Sequence, residues 1–176
     1  MKKKICLILY YGFARFLPRS SKSQISKKIR YFLCRNIFKT CGVNVNVERG
    51  AWFGKGDKIE IGDNSGIGVN CRIHNNTIIG KDVMMGPECF FLESTHSYDR
   101  TDIPLRLQSR IKERVQVIIE DDVWIGREVL IIGNKTIKKG TIIGARTLLT
   151  KSFPEYSVIG GNPSRLIRNR LEKASS

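Results

Sequence analysis

The chain has 176 residues, about one domain's worth, with 41% hydrophobic and 27% charged residues. At that length it can bury roughly 70% of its unfolded surface, which excludes a disordered chain and one that needs disulfide or metal staples. The net charge of +15 sits at one end: residues 1–47 carry eleven Lys or Arg and no carboxylate before Glu48, leaving +4 for the rest. Such a segment points to an anionic surface or partner.

Residues 2–11 join three lysines to an apolar run, Ile5–Tyr11, like the first two regions of a signal peptide. Arg15 and Pro18 break the run, no small-residue cleavage site follows, and a membrane span needs about 20 apolar residues. A packed or interfacial helix is expected. A second helix is expected over 20–40, with Ile25, Ile29, Phe32 and Leu33 on one face among Lys27, Lys28 and Arg30, closed by Cys41-Gly42. Residues 1–41 thus read as a basic helical segment. It caps one end of the domain, contacts an anionic membrane peripherally, or does both. The five cysteines form no CxxC pair and are expected as reduced thiols, which places the protein in the cytoplasm.

Beyond Gly42 the periodicity changes. In steps of six the chain reads Ile61, Ile67, Ile73, Ile79, Met85, Phe91, and again Ile119, Ile125, Ile131, Ile137, Ile143, Leu149. At 41% apolar content, twelve such positions agree by chance on the order of 10⁻⁵. Four residues after most steps stands a small or β-branched residue, among them Ser65, Cys71, Thr77, Val83, Cys89, Val123, Thr141 and Thr147. A strand and a turn every six residues makes three flat faces per 18 residues, and successive coils stack by parallel pairing. The large residue points into the prism, while Gly, Asn and Asp serve the turns. Cys71 and Cys89, 18 apart, should share one core column.

The register stops after Phe91 and resumes at Ile119, 28 residues later, so residues 97–115 must leave the prism as a loop. At its base stands His96, one of two histidines, followed by Tyr98 and Asp99. A titratable imidazole there is well placed for chemistry between subunits. His74 reads as a solvent-facing or turn residue. Two histidines cannot supply a three-histidine metal centre, so no metal is expected. No aromatic-basic platform supports nucleic-acid binding.

The motifs Val123-Trp124-Ile125-Gly126, Ile143-Gly144-Ala145, Thr150-Lys151-Ser152 and Gly161-Asn162-Pro163-Ser164-Arg165 carry a resemblance. Over roughly residues 42–170 the chain resembles the hexapeptide-repeat acyltransferases, in the branch of maltose, galactoside and capsular-polysaccharide O-acetyltransferases. The resemblance implies a mainly β fold: a left-handed parallel β-helix over 42–162 with N-terminal helices and a C-terminal helical tail at 163–176. It also implies a homotrimer that uses acetyl-CoA to acetylate a saccharide in surface-polysaccharide assembly. By that resemblance His96 is the catalytic base. Trp124, Arg127, Ala145, Thr150, Lys151, Arg165 and Arg168 meet coenzyme A, the backbone of Arg127 serves the oxyanion, and Asn70, Tyr98 and Asp99 face the acceptor.

The sequence departs from the family pattern at Arg127, Arg146, Gly68 and Asn134-Lys135. Lys135 falls at a nominally inward corner, where its ammonium must reach water or distort the coil. The alternatives are an acetyltransferase acting on a xenobiotic and a scaffolding β-helix without turnover.

Overall fold

The computed structural model describes residues 2–92, 95–111 and 115–172, with only the backbone at residues 95, 96, 110 and 111. Short strands wind around three faces of a prism. The first face carries Thr40–Cys41, Glu60–Ile61, Thr77–Ile79, Val117–Ile119 and Lys135–Ile137, paired in parallel in that order. The second carries Asn46–Val47 with Gly66–Ile67, then Met84–Met85, Trp124–Ile125, Ile142–Ile143 and Ser157–Gly160. The third carries Phe90–Leu92, Leu130–Ile132 and Leu148–Leu149, extended by single bridges from Phe90 to Arg72 and from Arg72 to Trp52.

All twelve six-step positions are buried, the most exposed being Met85 at 9%. Their smaller companions Ser65, Cys71, Thr77, Val83, Cys89, Val123, Thr141 and Thr147 are buried too. The Cys71 and Cys89 thiols share the Gly86 carbonyl at 3.1 and 3.3 Å, and the neighbouring Cys89 thiol together with burial pushes the Cys71 thiol up. Both side chains fill the core. The turns are cut from left-handed backbone. Asn44, Asn64, Asp82 and Asp122 take positive φ at the first corner, and Asn70, Glu88, Glu128 and Arg146 at the second. At the first corner the amides form a ladder, Asn44 donating to Asn64 and Asn64 to Asp82 at 3.1 Å each.

Two coils depart from the 18-residue length. Cys41 pairs with Ile61 and Val47 with Ile67, a coil of 20, because eight residues separate Phe53 from Ile61 and Gly54 and Gly56 turn with φ of +63° and +67°. Ile79 pairs with Ile119 and Phe91 with Ile131, a separation of 40, so 22 residues form an arm beyond Leu92. Within the arm Thr95–His96 pairs antiparallel with Arg110–Ile111. The buried Gln108 closes the tip, its amide donating to the Arg100 carbonyl at 2.7 Å and accepting from the Arg100 N–H at 3.3 Å.

Helices α1 (Lys2–Gly12) and α2 (Gln24–Ile37) cap the first coil. The Tyr10 hydroxyl donates to the Ala51 carbonyl at 3.0 Å and that of Tyr11 to Gly54 at 2.9 Å, with Phe53 packed against both rings. Ser23 caps α2 by accepting from the Ser26 N–H. The buried face of α2 is Ser26, Arg30, Leu33, Cys34 and Ile37, and this corrects the expected face, since Ile25 and Phe32 are 72% and 64% exposed. The register shifts because Arg30 must point inward. Its Nε donates to the Val47 carbonyl at 2.6 Å, one Nη to Pro18 at 2.9 Å, and the other lies 3.5 Å from the Glu48 carboxylate.

The C-terminal end also differs from expectation. Instead of a helix, Arg165–Asn169 forms a strand antiparallel to Ser157–Gly160. An unpaired strand edge exposes a row of backbone donors and acceptors, and the returning chain satisfies them on the last strand of the second face. The turn between them is pinned by the buried Ser164, whose N–H donates to the Leu148 carbonyl at 3.0 Å. No helix among the described residues is long and apolar enough to cross a membrane.

Arg30→Ala would leave Glu48 without its cation in a poorly hydrated site, so denaturant unfolding should show a loss of about 3–5 kcal/mol. Burial pushes the Glu48 carboxyl up, but hydrogen bonds from Ser20, the Arg49 N–H and Asn46 outweigh it and hold it below the ordinary value of 4.5. The stability this gives is therefore complete above that value and lost as pH falls through the lower folded one. Glu48→Gln should flatten this acid limb of the stability profile.

Candidate active site

The second corner gathers three of the residues singled out by sequence. Glycines precede it in successive coils because the backbones close tightly there. A Cβ on Gly126 would lie 2.6 Å from the Ala145 nitrogen, and one on Gly86 2.7 Å from the Arg127 nitrogen. The bonds between coils at this corner run from the Glu128 N–H to the Pro87 carbonyl at 2.9 Å and from the Arg146 N–H to that of Arg127 at 2.8 Å. The N–H groups of Arg127 and Ala145 are left over. They occupy the same turn position in consecutive coils, and no carbonyl among the described residues accepts from either. Glu128 holds two arginine side chains along the same edge, 3.4 Å from Arg127 Nε and 2.7 Å from Arg146 Nε. Asn70, exposed, stands on this corner in an earlier coil.

The end of the prism above Ala145 is basic. Trp124 projects from the second face between Met84 and Ile142 and is half exposed at 50%. Arg165 stands opposite Gly160 and Arg168 opposite Val158, both exposed. The Thr150 N–H donates to the Ser164 hydroxyl at 3.3 Å, and the Lys151 ammonium lies 5.4 Å over the Phe153 ring. Donors and cations on one rim fit a polyanionic ligand such as coenzyme A.

His96 lies elsewhere. The arm springs from the far end of Phe90–Leu92, at the third corner, and pairing with Arg110 fixes the His96 backbone. The His96 side chain is outside the described atoms. Downstream, the Ser97 hydroxyl donates to the Asp99 carboxylate at 3.1 Å, and Tyr98 is exposed. Within one chain, then, Asn70, Arg127 and Ala145 share a corner, while His96, Tyr98 and Asp99 belong to the arm. The third face separates the two sets.

No family model matches the sequence. The chain is 31% identical to the galactoside O-acetyltransferase of Escherichia coli over 151 residues, covering 85% of this chain and 71% of that protein. It is 30% identical to a protein of Mycobacterium tuberculosis named a probable acetyltransferase over 115 residues, 65% of this chain, and so spans only 36% of that longer relative. A solved galactoside acetyltransferase in complex with coenzyme A superposes with a TM-score of 0.78 at 29% identity, covering 96% of this chain and 80% of that one. The chain belongs to the hexapeptide-repeat acetyltransferases. Its fold is the left-handed parallel β-helix of that family.

Two side chains of this hexapeptide-repeat acetyltransferase sit in instructive places. His74, expected as a solvent-facing or turn residue, is buried beside a turn, 3% exposed with its ring centroid 6.3 Å from that of Phe91. Asn75 and Asn76 take the polar work of that turn, bonding Asp57 at 2.7 Å and the Val115 carbonyl at 3.3 Å, which turns His74 inward. Lys135 follows Thr77 and Val117 in an inward column where both of those are fully buried. Its ammonium escapes to the Asn134 carbonyl at 3.0 Å, and burial lowers its pKa.

Reading by residue type missed the outward row Trp52, Arg72 and Phe90 on the third face. Their spacing of 20 and 18 is the repeat itself, taken one residue out of phase with the core. Lys135→Val should restore an apolar column and raise stability by about 0.5–2 kcal/mol, measured by thermal or urea unfolding.

Proposed function

We propose that this chain transfers an acetyl group from acetyl-CoA to a hydroxyl of a saccharide, in the assembly of a surface polysaccharide. The observation that carries the reading is the pair of N–H groups at Arg127 and Ala145, left over at a tight glycine corner beside a cationic rim. In this reading Thr150, Lys151, Arg165 and Arg168 hold the nucleotide phosphates, Ala145 meets the pantetheine amides, and Trp124 walls the groove. Asn70, Tyr98 and Asp99 position the acceptor.

His96 acts as general base. It removes the acceptor hydroxyl's proton as the oxygen attacks the thioester carbon, a contribution of typically 10²–10⁴-fold. The Arg127 N–H donates to the oxyanion that forms, and being backbone it needs no reorganisation to do so. Collapse breaks the carbon–sulfur bond, and His96 returns its proton to the departing thiolate. Because His96 and Arg127 lie on different corners, the reading requires a second copy to bring one to the other. A homotrimer with its sites between subunits satisfies this.

His96→Ala should lower kcat/KM by at least about 10²-fold while coenzyme A binding, measured by calorimetry, stays within about twofold. Light scattering should give three times the 20.0 kDa chain mass. Retained turnover in the variant, or a monomer at micromolar concentration, would overturn the reading.

A second surface supports a peripheral membrane site. Helix α1 buries Tyr10 on one side, yet on the other Ile5, Ile8 and Leu9 are 51%, 71% and 48% exposed, continued by Phe13 at 57%. A helix apolar all round needs cover on both sides. Lys2 and Lys4 flank the outer ridge, and no carboxylate precedes Glu48, which matches an anionic leaflet facing the cytoplasm. The protein should sediment with phosphatidylglycerol vesicles at low salt, release at high salt, and ignore phosphatidylcholine vesicles. Ile8→Asp with Phe13→Asp should abolish the association. Binding that is indifferent to these changes would sink the idea.

A further inference from the structure

The outward row of the third face carries a feature that acetyl transfer itself does not use. The Arg72 guanidinium lies between two rings, 6.0 Å from the centroid of Trp52 and 5.8 Å from that of Phe90. Arg15, in the 3₁₀ turn after α1, lies 5.3 Å from Trp52 and 5.7 Å from Phe16. Ring and cation therefore alternate along one line: Phe16, Arg15, Trp52, Arg72, Phe90. The line is built into the fold. Trp52, Arg72 and Phe90 are bridged partners in successive coils, and Arg15 is locked to Gly50, donating to its carbonyl at 3.2 Å and accepting from its N–H at 2.9 Å.

Two open cavities flank this line. One of about 310 Å³ lies against Trp52, Arg72, Phe90 and Leu92, and one of about 570 Å³ against Phe16, Lys22 and Arg49. No carboxylate lines either. Among the described residues none of Arg15, Arg19, Lys22, Arg49 and Arg72 takes part in an ion pair. The volumes suit a small molecule of sugar to nucleotide size. Aromatic faces accept the apolar side of a sugar ring, and guanidinium groups pair bidentately with phosphate. The floor strand Phe90–Leu92 is also the one that leads, four residues on, to His96.

We infer that this groove holds the acceptor and that the acceptor is a phosphorylated sugar, its ring on Trp52 and Phe90 and its phosphate or diphosphate on Arg72 with Arg15. The inference rests on the acetyl-transfer reading for its chemistry. A nucleotide-linked and a lipid-linked sugar share the diphosphate that the groove recognises.

The test has a binding arm and a turnover arm. By calorimetry the full-length protein should bind uridine diphosphate and inorganic pyrophosphate, and Arg72→Gln should weaken both at least tenfold. A thermal melt controls for folding at this exposed position. In turnover, diphosphate-linked sugars should be preferred over the same free sugars. Arg72→Gln should reduce that preference at least tenfold through KM, and Arg72→Lys should restore part of it. Comparing a uridine-diphosphate sugar with a polyprenyl-diphosphate sugar in detergent identifies the natural source. If both anions bind wild type and Arg72→Gln alike, or free sugars are acetylated as well as phosphorylated ones, the inference is overturned while acetyl transfer stands. If the anions bind through Arg72 but no sugar is acetylated, the acetyl-transfer reading fails and the groove is an anion site of another kind.

Discussion

Close stacking of coils is the constraint from which the other features follow. Each inward side chain must meet its counterpart one layer away, at a spacing of about 4.8 Å set by parallel backbone pairing. The same requirement brings backbone against backbone at the corners, where a Cβ on Gly68 would sit 2.1 Å from the Gly86 carbonyl oxygen. Glycine there is compelled by space. Left-handed φ at Asn70, Glu88, Glu128 and Arg146 completes the turn. A ligand-ready edge is a by-product of this geometry. When the turn residue's N–H is spent on the coil beneath, the N–H of the residue before it is left over, as at Arg127 and Ala145.

The helical segment is attached by a different kind of interaction. Arg30 has no exposed surface, yet it satisfies carbonyls of Val47, Leu17 and Pro18 and faces Glu48. These partners come from the turn after α1 and from the first coils, so one guanidinium ties three stretches of chain together. Such a centre adds little net stability over a well-packed apolar one, because desolvation consumes most of the attraction. It does fix how α2 rotates on the prism, and that rotation leaves Ile25 and Phe32 outside.

The parts legible in sequence were those governed by repetition. Ile61 to Phe91 and Ile119 to Leu149 announce core, coil length and the break that expels the arm. Single departures were not legible. The coil from Cys41 to Ile61 hides because the step after Phe53 is eight residues, with Gly54 and Gly56 as its only local trace. The face of α2 was misplaced because apolar spacing outvoted a buried arginine, whose partners are 12 to 18 residues away. The family resemblance implies a helix in the last segment, whereas an open strand edge draws Arg165–Asn169 into antiparallel pairing. His74, with no motif around it, reads as a solvent-facing or turn residue, whereas its neighbours Asn75 and Asn76 take the polar contacts of that turn and leave it inward. Of the candidate site, Trp124, Ala145 and Thr150 are singled out by the family resemblance of their motifs; Ala145 stands at a stacked turn and Trp124 on a strand. The row of Trp52, Arg72 and Phe90 was not legible, since it requires knowing which coil lies over which.

The distribution of charge gains meaning from this architecture. A prism built of uniform coils presents the same kind of surface along its length, so specificity has to come from what interrupts or decorates the coils. Here the arm carries His96, and the basic N-terminal segment supplies Arg15, Arg19 and Lys22 beside the third face. The coils add Arg49 and Arg72 to the same side. Three carboxylates elsewhere are matched to cations one coil away, Asp63 to Lys81, Glu120 to Lys138 and Glu128 to Arg146. Among the described residues none of Arg15, Arg19, Lys22, Arg49 and Arg72 takes part in an ion pair, and together they give that face a positive field that draws anionic molecules toward it. The helical cap thus does more than close the end of the prism: it completes the charged wall along which the arm begins.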